Sequence, residues 1–337
     1  MKEVYLYKKL PKRAIRCNNC AHYCNLFSGK RGVCGVRENI DGTLHVLNYG
    51  KLVACNIDPV EKKPLFHFLP GTKTLSVSTV GCNMRCKNCQ NFDISQNYRN
   101  EKIIPGKEIS PKELIDIAIQ NNLNSISYTY VEPTVFLEYA LDTMKLAKEK
   151  GLKNIWVSNG FLSKEALNLV LPYLDGVNID IKSFSDNFYR ENCGARLAPV
   201  LETAKSLKKH SVSVEITTLV IPTLSDSYKN FTDIAKFIKK ELGPDTPWHI
   251  SRFSGELSWK LKHLPQTPET ILQAAYDTGK KEGLQYVYVG NTGDASLSST
   301  FCPVCKTLAI ERSGHFLSRH DKMGKCKECG KDLNLIL

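Results

Sequence analysis

The stretch LSVSTVGCNMRCKNCQN at residues 75–91 decides the fold. Its first six residues alternate between apolar and small polar side chains, which predicts a β-strand that runs directly into a cysteine-rich loop. The loop cysteines have the spacing C-x3-C-x2-C and are Cys82, Cys86 and Cys89. Iron–sulfur clusters are ordinarily held by four thiolates, so three would leave one iron of a [4Fe–4S] cluster open to a substrate or cofactor. The alternative is a three-thiolate zinc site completed by water.

Downstream of this loop, β-rich runs alternate with longer helical patterns. Further strands are predicted at 125–130, 155–158, 177–181, 212–219, 249–253 and 286–289. Helices are predicted at 111–121, 135–150, 229–242 and 268–282, the first with Ser110, Pro111 and Glu113 as a capping box. Alternation at this spacing indicates parallel βαβ units. It therefore predicts a full or partial α/β barrel or an open doubly wound sheet.

Polar residues, with two glycines beside them, lie late in the predicted strands or directly after them, except that His249 enters the sixth strand. In α/β barrels the site is built at the carboxyl ends of the strands, so we expect these residues to meet near the cysteine loop. They are Glu132, Ser158, Asn159, Gly160, Asp180, Lys182, Thr217, Thr218, His249, Arg252, Gly290 and Asn291.

Two further cysteine groups flank this region. The first has the spacing C-x2-C-x3-C-x9-C and consists of Cys17, Cys20, Cys24 and Cys34. Zinc is the first interpretation for this group and an iron–sulfur cluster the second, with His22 as a candidate substitute ligand. The last group is two CxxC pairs, Cys302 with Cys305 and Cys326 with Cys329. Two such turns favour a closed, structural zinc site of the zinc-ribbon kind over redox disulfides or a cluster.

The remaining two of the 13 cysteines, Cys55 and Cys193, stand alone, and we expect both to be buried small hydrophobes. We therefore divide the chain into three regions. Residues 1–72 form a cysteine-rich metal-binding region with a short β-hairpin, 73–295 the partial barrel, and 296–337 a zinc-ribbon-like module.

The composition is that of a globular enzyme-sized protein with excess positive charge. The 337 residues are 42% hydrophobic and 24% charged, which excludes a disordered, collagen-like or coiled-coil chain. The charged N-terminal segment and the absence of an 18-residue apolar run predict a cytoplasmic protein without a membrane segment. The formal net charge of +12 leaves RNA open as a partner, with basic clusters at 8–16, 205–210 and 312–331.

The cysteine loop resembles the cluster loop of the radical S-adenosylmethionine (SAM) superfamily, in particular of the pyruvate formate-lyase activase branch. Over essentially its full length, the chain is similar to the radical SAM member of the AmmeMemoRadiSam system. The matching stretches are RGVCGVREN at 31–39, DPVEKKPLFHFLPGT at 58–72, GCNMRCKNCQNFDISQ at 81–96, SYTYVEPT at 127–134, VNIDIK at 177–182, WHISRF at 248–253 and the terminal CPVC and CKECG pairs.

The resemblance implies a partial TIM-like barrel in which the three loop cysteines hold a [4Fe–4S] cluster and SAM chelates the fourth iron. Reductive cleavage of SAM would then give a 5′-deoxyadenosyl radical, with electrons from a donor of the flavodoxin or ferredoxin type. The residues that the resemblance places near SAM are Glu132, Asn159, Asp180, Lys182 and His249.

Two positions depart from the pattern: Val131 stands where Asn is expected, and Ser254-Gly255 where His-Pro is expected. The substrate is not fixed by the resemblance; a protein or peptide is favoured, and RNA or a small molecule stays open. A rival hypothesis is a metal-bearing nucleic-acid-binding module whose barrel is no longer catalytic.

Overall fold

The computed structural model describes residues 1–99, 101, 103–314 and 316–337, and every element below lies within them. The N-terminal part consists of short strands: β1 (Lys2–Glu3), β2 (Tyr7–Lys9), β3 (Ile15–Cys17), β4 (Asn25–Leu26), β5 (Arg37–Ile40), β6 (Thr43–Val46), β7 (Lys51–Leu52) and β8 (Ala54–Pro59). Two small antiparallel sheets form here, β1–β6–β5 and β2–β3–β4. The turn between β5 and β6 is Asp41-Gly42, with both residues at positive φ, as a tight hairpin turn requires.

Strands and helices then alternate through most of the chain. The strands are β9 (Lys73–Ser78), β10 (Lys107–Glu108), β11 (Ser125–Tyr128), β12 (Lys153–Ser158), β13 (Gly176–Asp180), β14 (Ser213–Val220), β15 (Trp248–Arg252) and β16 (Val287–Gly290). The helices are α1 (Phe92–Ser95), α2 (Pro111–Gln120), α3 (Leu137–Glu149), α4 (Lys164–Val170), α5 (Asp186–Phe188), α6 (Leu197–Lys209), α7 (Tyr228–Phe237) and α8 (Glu269–Lys281). A C-terminal antiparallel sheet contains β17 (Thr300–Phe301), β18 (Leu308–Ser313) and β19 (Phe316–Arg319).

The main sheet has the strand order β16-β15-β14-β13-β12-β11-β9-β8. From β9 to β16 the neighbouring strands pair in parallel, and β8 pairs antiparallel to β9 at the edge. The parallel strands follow chain order without a reversal, so each crossover moves in the same direction. Because β8 and β16 lie at opposite edges, the sheet is open, and the predicted partial barrel is confirmed.

The predicted strands agree with the observed ones to within two residues at every end. The capping box of α2 is also confirmed. The Glu113 N–H donates to Ser110 Oγ at 3.2 Å, and the Ser110 N–H donates to Glu113 Oε2 at 2.7 Å. Three elements of the main domain, α4, α6 and β8, were not predicted from the sequence patterns. Among the described residues, none of the helices combines the length and apolar character needed to cross a membrane.

The segment between β8 and β9 packs on the inner face of the sheet, the face that the helices do not cover. The Phe68 ring lies so close to Gly176 that a Cβ there would come within 3.0 Å of it. Phe68 also packs with Leu65 and with Ile155 of β12, which is paired with Gly176 across the sheet. The interior of the partial barrel is therefore filled at this level by residues that precede β9.

A buried carboxylate fixes this segment in place. Glu215 of β14 accepts hydrogen bonds from the backbone N–H groups of Phe66 at 2.9 Å and His67 at 2.8 Å. His249 Nε2 contacts the same carboxylate at 2.6 Å. The His67 ring then extends the network, with Nδ1 3.1 Å from the Leu333 carbonyl and Nε2 2.7 Å from the Tyr288 hydroxyl.

These partners hold His67 in its neutral form. A carbonyl can only accept, so Nδ1 carries the proton and Nε2 accepts from Tyr288. Burial lowers the pKa of His67 from 6.5 to about 4. The contribution of neutral His67 to stability is therefore fully present above pH 6.5 and is lost as the pH falls toward 4.

We expect the free energy of unfolding to fall by about 2 kcal/mol between pH 7.5 and pH 5 through His67 alone, since one pKa unit corresponds to about 1.4 kcal/mol. His67→Gln keeps a donor and an acceptor but does not titrate, so this part of the fall should vanish. Urea unfolding at both pH values measures it, with exposed His263→Gln as the control. An equal fall in His67→Gln and the parent protein would contradict the assignment.

Candidate active site

The cysteine loop leaves the carboxyl end of β9 through Gly81. This residue has φ +101°, and a Cβ there would lie 2.8 Å from Val36 Cγ1 and 3.0 Å from the Cys34 carbonyl oxygen. Only glycine meets both conditions without strain. The start of the loop is therefore packed directly against the last cysteine of the N-terminal group.

Three other segments satisfy the backbone of this loop. The N–H groups of Arg85 and Lys87 donate to the carbonyls of Cys193 and Asn192 at 2.8 and 2.9 Å. The segment after β15 supplies two more bonds, from the Trp259 N–H to the Cys89 carbonyl at 3.1 Å and from the Lys260 N–H to the Lys87 carbonyl at 2.8 Å. The Arg99 guanidinium donates to the carbonyls of Cys82 at 3.0 Å and Met84 at 2.8 Å. These contacts fix an irregular loop in one conformation.

The three loop thiols share one environment without closing on a single point. Burial raises the pKa of Cys82, and the neighbouring Cys86 and Cys89 thiols raise it further, so the sulfurs are near enough to interact. Yet the described residues bring three or more ligand atoms within 4.8 Å of one another only in the C-terminal cysteine group. The spread of the loop thiols therefore suits a multi-iron cluster better than one zinc ion.

A partly buried ion pair lies beside these thiols. Lys182 Nζ lies 2.7 Å from Asp180 Oδ2, and the two side chains are 13% and 34% exposed. Burial alone would lower the pKa of Lys182, but Asp180 and the thiols of Cys86 and Cys193 raise it well above its ordinary value. The site thus keeps a positive charge next to the thiols and a partly accessible carboxylate beside it.

Asn159 reaches the other side of the loop. Its Nδ2 donates to Asn83 Oδ1 at 2.8 Å and lies 3.9 Å from Cys82 Sγ. Glu132 stands behind it, 3% exposed, with its carboxylate accepting from the Asn159 N–H at 2.8 Å and from the hydroxyls of Ser158 and Thr134. Burial raises the pKa of Glu132, and these hydrogen bonds oppose that shift. Glu132 therefore positions the turn that carries Asn159.

The remaining predicted residues lie elsewhere on the rim or inside the barrel. His249 is 5% exposed, stacks on Tyr288 with ring centroids 5.3 Å apart, and is bonded to Glu215. Arg252 pairs with Glu269 at 2.9 Å. The structure thus brings Asn159, Asp180 and Lys182 to the thiols and places His249 in the network that holds the segment before β9.

The two departures from the sequence pattern have structural roles. Val131 is 5% exposed and packs in the main core. A Cβ at Gly255 would lie 2.2 Å from the Leu264 carbonyl oxygen, so the tight turn after β15, which braces the cysteine loop, requires glycine.

Cys193, which we expected to be an isolated buried hydrophobe, lies beside the site. It is fully buried, and its hydrogen bond to Cys86, together with burial, raises the pKa of the Cys86 thiol. It lies at the end of a π-helical turn, Tyr189–Cys193, which also braces the cysteine loop. No spacing relates Cys193 to the loop, more than 100 residues earlier, so only the fold reveals the contact.

The C-terminal cysteines converge tightly. Cys302 and Cys329 have their sulfurs 3.5 Å apart, Cys305 and Cys326 theirs 3.4 Å apart, and all four lie within 4.8 Å of one another. Four thiolates bound to one zinc ion at about 2.3 Å form a tetrahedron with edges of about 3.8 Å. The group therefore has the dimensions of a single-ion site.

Comparisons with known proteins agree with this geometry. Residues 76–238 match the family model described as the radical SAM superfamily. The chain is 42% identical over the whole length of both chains to an uncharacterized protein of Methanocaldococcus jannaschii. It is 27% identical to the pyruvate formate-lyase-activating enzyme of Clostridium pasteurianum, with 50% of this chain and 71% of that protein covered.

One further relative and one solved structure are also similar to this chain. A putative glycyl-radical enzyme activating enzyme of M. jannaschii is 25% identical, with 53% of this chain and 67% of that protein covered. Among solved structures, SuiB of Streptococcus suis bound to S-adenosylmethionine has a TM-score of 0.50 at 12% identity, covering 63% of this chain and 49% of that one. Enzymes of this superfamily carry a [4Fe–4S] cluster and use SAM. The chain therefore belongs to the radical SAM superfamily, within the branch of the pyruvate formate-lyase and glycyl-radical enzyme activating enzymes.

Proposed function

We propose that this enzyme binds SAM at the Cys82 loop and abstracts a hydrogen atom from a protein or peptide substrate. The observation that carries the proposal is the set of three thiols beside a charged lysine at the carboxyl end of the parallel sheet. When bound, the reduced cluster and SAM supply a 5′-deoxyadenosyl radical. The chain itself supplies orientation and a site shielded from water.

The residues around the thiols divide into direct and indirect roles. Cys82, Cys86 and Cys89 would ligate three irons. Lys182 would pair with the methionyl carboxylate of SAM, and Asp180 would accept hydrogen bonds from its amine or ribose. Asn159 would donate to SAM beside Cys82. Glu132 and His249 would act as positioning residues, Glu132 through the Asn159 turn and His249 through Glu215.

The preference for a protein substrate rests on the relatives. Two of the relatives described above are activating enzymes, one for pyruvate formate-lyase and one, putatively named, for a glycyl-radical enzyme. The net charge of +12 is by itself weaker support for RNA, because basic surface also serves solubility. A small reducing protein of the flavodoxin or ferredoxin type would supply the electron.

Loss of Cys86 should abolish SAM cleavage. Anaerobically reconstituted protein with SAM and dithionite is expected to release 5′-deoxyadenosine, and Cys86→Ala should reduce the release to background because an iron loses its thiolate ligand. Cys55→Ala, which changes a cysteine outside the three groups, is the control and should keep the parent rate. No release by protein with a verified full cluster would contradict the proposal.

Lys182→Met should weaken SAM binding without removing the cluster. A hydrogen bond to a charged group contributes about 1.5–3 kcal/mol, so we expect the Kd to rise about 10- to 100-fold. Equilibrium dialysis with labelled SAM measures this change, and iron content shows whether the cluster persists. Exposed Lys209→Met serves as the control. An unchanged Kd in Lys182→Met would remove this residue from the SAM site.

We also propose that Cys302, Cys305, Cys326 and Cys329 bind a zinc ion that stabilises the C-terminal module. The small core there consists of Cys302, Cys326, Ala309 and Leu333, too few apolar residues to hold the module without a metal. Cys305→Ser should therefore lower zinc by about one ion per chain and lower the Tm. Metal analysis and thermal unfolding test this, and unchanged zinc in Cys305→Ser would contradict it.

A further inference from the structure

The four N-terminal cysteines surround one space. Cys17, Cys20, Cys24 and Cys34 line one cavity, part of which is open to solvent. Cys17 and Cys34 are buried, and the other two are partly exposed. The segment from Cys17 in β3 to Cys34, just before β5, thus directs four sulfurs to the same place.

The spacing of these sulfurs differs from that of the C-terminal group. The C-terminal sulfurs all lie within 4.8 Å of one another, as one tetrahedral ion requires, and no three N-terminal sulfurs of the described chain do so. Gly32 lies beside two of these sulfurs, since a Cβ at its position would stand 3.8 Å from both Cys24 Sγ and Cys34 Sγ. The N-terminal thiols are therefore spread more widely than the ligands of a single tetrahedral ion.

A buried guanidinium lies on the wall of the same cavity. Arg37 is 2% exposed and forms a bidentate pair with Glu138, with N–O distances of 3.0 and 2.6 Å. Its Nε–H has no hydrogen-bond partner among the described residues. A buried donor without a partner is rare in folded proteins, and a sulfur-rich anionic group in the cavity would supply the acceptor.

His22, the alternative ligand, is not among the residues that line this cavity. Its Nε2 lies 2.7 Å from the Asn83 carbonyl oxygen, which can only accept, so this nitrogen carries a proton. The ligand set that remains is four thiols, which is the usual set for an iron–sulfur cluster.

We propose that Cys17, Cys20, Cys24 and Cys34 hold an iron–sulfur cluster, in addition to the one at the Cys82 loop. The spacing of these cysteines alone had favoured zinc over an iron–sulfur cluster, and the structure favours the cluster. The second cluster would adjoin the first site, because Asn83 lines its cavity and Cys34 packs against Gly81. The assignment does not depend on the SAM reaction, so each can fail without the other.

The test is metal analysis of the full-length protein with Cys82, Cys86 and Cys89 all changed to Ala, reconstituted anaerobically with iron and sulfide. We expect this variant to retain about two or four irons per chain with equal sulfide, and the visible absorption of a cluster. Further replacement of Cys17, Cys20, Cys24 and Cys34 by Ala should remove that iron, whereas Cys55→Ala should not. Bound zinc should stay near one ion per chain in each case.

Two zinc ions per chain without iron in the triple variant would overturn the proposal, as would the absence of iron and sulfide. If the variants are poorly folded by circular dichroism, the parent protein decides the question. More than four irons per chain with matching sulfide supports a second cluster, and four or fewer contradicts it.

Discussion

An irregular loop at the end of a buried strand is stable only when other segments satisfy its backbone, and the site depends on this constraint. The loop from Gly81 to Cys89 donates hydrogen bonds to the turn that ends at Cys193 and accepts them from the segment after β15 and from Arg99. Each of these contacts comes from a different part of the chain. The positions of the three thiols are thus a property of the whole barrel, and the segment from Cys34 to Val36 closes the remaining side.

The polar interior of the barrel makes this arrangement possible. Glu215 is buried, but two backbone N–H groups and His249 satisfy its carboxylate, so it joins β14 to the segment that precedes β9. That segment reaches the C-terminal module through Arg312, whose guanidinium donates to the Phe66 carbonyl at 2.8 Å. A single hydrogen-bonded network therefore connects the barrel strands with residues before and after them.

The sequence predicted the barrel well because its strands and helices are local patterns. Alternation before Gly81 and the capping box at Ser110 depend only on neighbouring residues, and the structure reproduces both. Contacts between distant segments have no such signal. From the sequence we expected Cys193 to be an isolated hydrophobe and His249 to lie on the rim. The contact of Cys193 with Cys86 and the pairing of His249 with Glu215 produce no periodic pattern in the sequence. The spacing of Cys17, Cys20, Cys24 and Cys34 likewise predicted four ligands but did not predict the distances between their sulfur atoms.

We propose that SAM binds the cluster of the Cys82 loop at an iron that has no protein ligand. Electron paramagnetic resonance of the reduced cluster tests this directly in protein that has Ala at Cys17, Cys20, Cys24 and Cys34, so that only the loop cluster contributes. Addition of SAM should shift the g-values of the cluster signal. SAM that carries a magnetic isotope should also broaden that signal through hyperfine coupling. A spectrum that SAM leaves unchanged would contradict the account.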